Sequence, residues 1–270
     1  MSRGSSTGSD TVFVIDQTPS IVEKKLLRVP VFANDFDRYS FKPTGKWAVI
    51  FPYVRDQDGF GPYAEKKLKS LFPKGFAYLK GQLNVLRERK HSSRWFGFSA
   101  PRNLDLHDQA QILVPLLAKH GSCALIPEQF RGKLCPMASG GFTVTLSSDC
   151  PYRPEYILAL LNSRLLFWRL RQVSNIFRGG WITCTKQYFG ELPIRVIDFL
   201  NAKEKSQHDK IVQLVERLVE AKSDWAASDD DREKRRLDQF CADLDLEMDR
   251  LVYKLYDLTD DEIDIVEAQA

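Results

Sequence analysis

The chain has 270 residues, 43% apolar and 28% charged, enough to bury a full core in one or two domains. No apolar run reaches membrane-spanning length, and the opening MSRGSSTGSD lacks the apolar core of a signal peptide. Five scattered cysteines form no CxxC pair, which fits reduced thiols in a cytoplasm better than a disulfide frame. The net charge of +3 hides an asymmetry: residues 223–270 carry 16 acidic and 6 basic side chains, whereas residues 1–222 carry 20 acidic and 33 basic. A basic body with an acidic tail points to an anionic partner for the body.

In chain order, residues 1–10 are rich in Gly and Ser and are expected to be mobile, before a strand at 11–15 (TVFVI). GSSTGSD is not a phosphate loop, because no strand precedes it and no GK[ST] follows. Residues 23–41 read as irregular with a short extended piece, 46–53 (KWAVIFPY) as a buried strand and 56–62 (DQDGFGP) as a turn. Helices are expected at 63–71 and 74–89, separated by Pro73. In the second, Phe76, Leu79, Leu83 and Leu86 recur at three- and four-residue steps and form one apolar face.

Lys80, Arg87, Arg89, Lys90, His91 and Arg94 crowd the end of that helix, and Trp95, Phe96 and Phe98 follow at once. Cations there complement the helix dipole, but the cluster exceeds that need. Basic residues interleaved with aromatics are expected of nucleic-acid contact by charge and stacking. Short strands are expected at 111–116, 123–126 and 141–146, with Arg131 in a connection between them. The pattern suits a mixed or antiparallel sheet, not a regular strand–helix alternation.

A central helix follows from about residue 156, with Ile157, Leu160, Leu161, Leu165 and Trp168 on one face. No Asp or Glu occurs between Tyr156 and Gly190, while Arg164, Arg169, Arg171, Arg178 and Lys186 do. NIFRGG closes the helix with glycines able to take positive φ. Residues 181–184 read as extended, 186–189 as a helical turn and 192–196 as a last strand. Two long helices, 204–224 and 232–256, flank a short link and suggest an antiparallel hairpin. Thr259 and Glu262 form a capping box for a terminal helix.

Several chemistries are absent from the sequence. There is no Asn-Pro-Pro-Tyr or Asp-Pro-Pro-Tyr loop, no S-adenosylmethionine-type glycine turn and no GxSxG elbow. His91, His107, His120 and His208 have neither HExxH nor zinc-finger spacing, and read as surface or capping residues rather than metal ligands. Glu65-Lys66-Lys67, after Asp56 and Asp58, loosely resembles a nuclease carboxylate set but reads as a solvated helix.

Four stretches together resemble the C-terminal specificity (target-recognition) domain of adenine-N6 DNA methyltransferases, including fused type IIG restriction–modification enzymes. They are TGSDTVFVI; residues 84–106 around RERKHSSRWFGFSAPRNLDL; residues 156–170 followed by NIFRGG and KQYFGELPI; and the tail DLEMDRLVYKLYDLTDDEIDIVE. The resemblance implies that an upstream catalytic domain or subunit binds S-adenosylmethionine and the flipped adenine, while this chain supplies only the reading half. The chain begins where that domain would end, as expected of a stand-alone subunit, a split gene product or a truncated remnant.

The expected fold is α+β: a mixed or antiparallel sheet target-recognition domain over residues 1–200, then a C-terminal helical hairpin over 201–270. The expected function is a non-catalytic, sequence-specific DNA-recognition module with no cofactor, metal or catalytic residue of its own. Its partners would be double-stranded DNA and a methyltransferase catalytic domain or subunit, with no membrane and a cytoplasmic setting. Phosphate contacts are expected from Lys80, Arg87, Arg89, Lys90 and Arg178. Base reading is expected from Arg94, Arg102, Arg131 and Lys186, since Arg pairs bidentately with guanine. A protein–protein adaptor, built on the basic face and the helical hairpin, is the competing reading.

Overall fold

The chain folds as two units that interleave along the sequence. The first takes Met1–Asp35, Lys42–Ala110 and Ile126–Thr145; the second takes Phe36–Phe41, Gln111–Leu125 and Leu146–Ala270. The computed structural model describes residues 1–17, 21–57, 59–89 and 93–268. Strands and helices occur together without regular alternation, so the fold class is α+β.

The first unit is organised by a four-stranded sheet in the order Leu134–Pro136, Leu27–Val31, Trp47–Ile50, Val14–Asp16. The first pair is parallel and the other two are antiparallel. Val49 and Ile50 on its central strand are fully buried, as their β-branched run predicts. Short helices surround the sheet: α1 (Asp10–Phe13), α2 (Glu65–Leu71), α3 (Pro73–Gly81), α4 (Leu83–Arg87) and α5 (Leu104–Asp108). Phe13, Phe51, Tyr53 and Phe98 form a ring cluster, with centroids 5.2 Å apart for Phe13–Phe98 and 5.1 Å for Tyr53–Phe98. The Phe98 amide donates to the Tyr53 hydroxyl at 2.6 Å, so the polar tip of a buried tyrosine is satisfied.

Four expectations change here. The opening residues are packed, not mobile: Ser2 and Arg3 pair with Thr143 and Phe142, and Ser5 and Thr7 are fully buried. The reason is close backbone approach, since a Cβ on Gly4 would lie 2.2 Å from the Met137 carbonyl oxygen. Residues 11–15 begin as a helical turn, because the Ser9 carbonyl accepts from the amides of Val12 and Phe13 before the strand starts at Val14. Residues 59–62 are a strand and not a turn: Gly59–Pro62 pairs with Tyr53–Asp56, and Gly59 has a positive φ of 105°, which glycine adopts readily. The 74–89 helix breaks at Gln82, whose φ of −99° and ψ of 14° separate α3 from α4.

The second unit has short antiparallel pairs: Ile112–Val114 with Ala124–Leu125, Leu117–Ala118 with Ile182–Thr183, and Phe36–Asp37 with Ser40–Phe41. Its helices are α6 (Pro154–Asn162), α7 (Arg164–Val173), α8 (Lys186–Phe189), α9 (Ala202–Ala227), α10 (Asp231–Leu255) and α11 (Asp260–Glu267). All seven residues from Tyr156 to Asn162 are buried. The single central helix of the sequence reading is two helices, because Ser163 is extended (ψ 149°) and its hydroxyl accepts from the Leu166 amide at 3.2 Å. Such a cap ends one helix and starts another while the apolar face runs on.

Residues 192–196 pair with no strand. Pro193 lacks a donor, and two tyrosines replace a ladder. Tyr256 donates to the Pro193 carbonyl and accepts from the Arg195 amide at 3.1 Å, while Tyr156 donates to the Arg195 carbonyl at 2.8 Å. The long helices α9 and α10 pack along each other across a three-residue link, as expected from their apolar stripes. Asn201 and Asp230 cap them, and the Thr259–Glu262 capping box opens α11. Among the described residues no helix is long and apolar enough to cross a membrane.

Candidate nucleic-acid interface

The basic run at the end of α4 separates into two kinds of side chain. Lys80, Arg87 and Arg94 are exposed. Arg89 is turned inward: its guanidinium donates to the carbonyls of Thr7, Trp95 (2.8 Å) and Leu86 (3.2 Å) and lies 5.0 Å from the Phe13 ring centroid. Burial lowers its pKa from the usual arginine value. Arg102 is half-buried and donates to the Gly4 carbonyl at 3.0 Å. Both arginines hold the N-terminal strand in place. Lys90 and His91 lie outside the described residues.

The aromatics of the same run face inward. Phe96 and Phe98 are buried at 0% and 1% exposure. Trp95 packs on Phe96 and Phe76, donates its indole N–H to Glu65 at 3.2 Å and carries Lys80 over its ring at 5.6 Å. Glu65, Lys66 and Lys67 are exposed on α2. Arg131 closes a short turn and pairs with Glu128 at 3.1 Å, three residues earlier.

Two histidines are buried, contrary to the surface or capping reading. His107 Nε2 faces the Arg3 carbonyl at 3.1 Å, so this nitrogen carries the proton, and Nδ1 accepts from the Thr143 hydroxyl at 2.9 Å. Burial holds its pKa down at about 4. His208 sits among Tyr156, Phe199 and Tyr152 and contacts Asp209 at 2.9 Å. Sequence spacing does not report such burial, because each histidine lies on a mostly polar stretch.

In the second unit part of the acid-free stretch joins a two-stranded ribbon extended by one isolated bridge. Leu117–Ala118 pairs with Ile182–Thr183, and Ile176 bridges to Ile182 on the other side. The Phe177 amide donates to the Trp181 carbonyl at 2.6 Å, so these two residues oppose each other. Arg178, Gly179 and Gly180 form the tip, and both glycines have φ of 79°. Lys119 Nζ lies 5.3 Å from the Trp181 ring centroid. Arg178 and Lys186 are exposed, the latter at the start of α8. Lys119 and Phe177 were not singled out by the sequence reading. Phe177 lies in NIFRGGWIT, where the turn of Arg178, Gly179 and Gly180 sets it opposite Trp181, whereas Lys119 lies outside that segment and no local pattern marks it.

A cleft of about 220 Å³ in the same unit is lined by Arg38, His120, Asn162, Arg164, Asp245 and Asp249. Arg38 makes a two-pronged pair with Asp245, at 2.9 Å for each prong, and also donates to the Gly121 and Asn162 carbonyls. Asp249 accepts from the Arg164 amide at 2.9 Å and pairs with its guanidinium at 3.2 Å. Burial raises the Asp249 pKa, while the two arginines oppose that shift. Both carboxylates are thus committed to guanidinium groups, and the cluster acts as a clamp on α6, α7 and α10. Arg164 also reaches Glu267 at 3.7 Å, so one central-helix arginine pairs with the acidic tail. Among the described residues, no three of His, Cys, Asp and Glu gather in a set that could hold a metal ion.

No protein-family model matches the chain. It is 28% identical over 255 residues to the Type II restriction enzyme and methyltransferase RM.Eco57I of Escherichia coli. The match ties this chain to restriction–modification proteins. It covers 88% of the chain and 25% of the relative, so the chain spans about a quarter of that protein's length.

Proposed function

We propose that this chain is a DNA-recognition module of a restriction–modification system, working with a methyltransferase catalytic domain or subunit. The observation that carries the reading is the similarity of nearly the whole chain to a quarter of a protein named as both restriction enzyme and methyltransferase. The charge distribution supports it, with excess cations on residues 1–222. S-adenosylmethionine belongs to the catalytic partner in this reading, and double-stranded DNA is the shared substrate.

Lys80, Arg87, Arg94, Arg131, Arg178 and Lys186 are the outward cations assigned to DNA. Arg178, Lys80 and Arg87 take phosphates, which set register and salt dependence. Arg94, Arg131 and Lys186 take base edges. Arg89 and Arg102 act indirectly, by holding backbone through their carbonyl contacts.

Selection from a pool of random duplexes, with and without a methyltransferase subunit, tests the proposal. The expected result is duplex affinity that falls steeply with salt and a single enriched sequence. Arg178→Ala should weaken binding equally on all sequences, whereas Arg94→Ala or Arg131→Ala should relax preference at one position. Affinity for a protein and for no duplex, alone or with the subunit, would establish the adaptor reading instead.

A further inference from the structure

The tip of the second unit's ribbon spends exposed aromatic surface in a way that packing does not explain. Ile176, Phe177 and Trp181 are 63%, 52% and 42% exposed, while Ile182, next to Trp181, is fully buried. Strand alternation accounts for Trp181 against Ile182: Ile182 and Ala118 turn to the covered face, and Trp181 turns out beneath Lys119. The turn is well tied. Phe177 pairs with Trp181, Gly180 donates to the Phe177 carbonyl at 3.2 Å, and Thr183 donates to the Asn175 carbonyl at 3.2 Å. Two successive positive-φ glycines lift Arg178 to the apex. The tip is therefore a pre-shaped projection of apolar rings with a cation at its point.

We propose that this tip is a wedge that enters duplex DNA and unstacks one base step, with Phe177 and Trp181 against the bases and Arg178 and Lys119 on the flanking phosphates. Apolar wedges between base steps are an established way for proteins to kink a duplex, and aromatic rings stack on bases of any sequence. Charge selects nucleic acid as the occupant: residues 111–125 and 156–190, which build the ribbon and its supports, contain no Asp or Glu. A protein partner docking through exposed rings would usually meet mixed charge at the rim. The inference rests on the DNA-recognition reading and adds to it a deformation of the duplex at a stated place.

The test compares two labelled duplexes of the same random sequence by fluorescence anisotropy, one fully paired and one with a single mismatched step. A wedge gains where stacking is already weakened, so the full chain should prefer the mismatched duplex on the order of tenfold. Phe177→Ala and Trp181→Ala should erase that preference and leave the slope of log affinity against log salt unchanged. Trp181→Phe should keep the preference. Arg178→Ala should keep it too, while lowering the salt slope by about one. Unfolding midpoints check that each variant folds.

Equal affinity of the unaltered chain for both duplexes, or a preference that survives in the Phe177→Ala and Trp181→Ala double variant, would overturn the wedge and leave DNA recognition standing. Binding to neither duplex, alone or with a methyltransferase subunit, would overturn both. Capture by vesicles of anionic lipid through the same residues, with no preference between duplexes, would make the tip a membrane contact and overturn the wedge.

Discussion

Residues 80–98 and residues 175–183 look alike as sequence and differ as structure. Each mixes arginine or lysine with Trp and Phe. In the first, Phe96 and Phe98 close a core, and Arg89 gives its donors to backbone carbonyls. In the second, Phe177 and Trp181 stay in water and Arg178 stands at the apex of a glycine turn. The lesson is that cation–aromatic composition signals two physical uses. Where a sheet lies next to the run, the rings are worth more buried, at about 25 cal/mol per Å². Where the run is a narrow ribbon, its two opposed rings both stay outside.

Four measurements sharpen or break this contrast, starting with the largest. Phe98→Ala should lower unfolding free energy by about 3–5 kcal/mol in urea titrations, as loss of a core ring does. Phe177→Ala should change it by less than about 0.5 kcal/mol. Similar losses for both would erase the distinction.

The second measurement is stability against pH. The His107 pKa sits at about 4 in the folded chain, below the ordinary histidine value. The unfolded state therefore binds more protons between roughly pH 6.5 and pH 4, and stability falls as pH falls through that window. Stability is complete above it, and the loss by pH 4 is roughly 3 kcal/mol. Replacing His107 by Gln should flatten that part of the profile.

Third, Arg89→Ala should cost about 2 kcal/mol, because it leaves carbonyls of Thr7 and Trp95 without their donor. Its effect on duplex affinity should follow the loss of fold and not the salt slope. The smallest expected effect is Lys186→Ala: unfolding unchanged within about 0.5 kcal/mol. A large stability loss there would mean that the second run is structural like the first.

The elements legible in the sequence were those fixed by near neighbours. The Thr259–Glu262 capping box and the apolar stripes of α9 and α10 needed only a few residues of context. Ser163 was missed because the apolar face continues through it, so periodicity alone cannot see the cap. The buried N-terminus was missed because Gly and Ser score as mobile when nothing says that a backbone will press against them. Arg38 was missed because its carboxylate partner lies 207 positions away. Of the residues picked for DNA, Arg178 and Lys186 are exposed, but composition could not tell Arg87, which is exposed, from Arg89, which is held inside.

The interleaving of the two units bears on any attempt to transplant specificity. The chain passes from one unit to the other at residues 35/36, 41/42, 110/111, 125/126 and 145/146. The six-residue excursion Phe36–Phe41 carries Arg38, which is locked to Asp245 in α10. A single splice anywhere between residues 38 and 245 would therefore give the recipient a guanidinium without its carboxylate, or the reverse. Exchange between homologous readers has to move Arg38 and Asp245 as a matched set, however far apart they are in the gene.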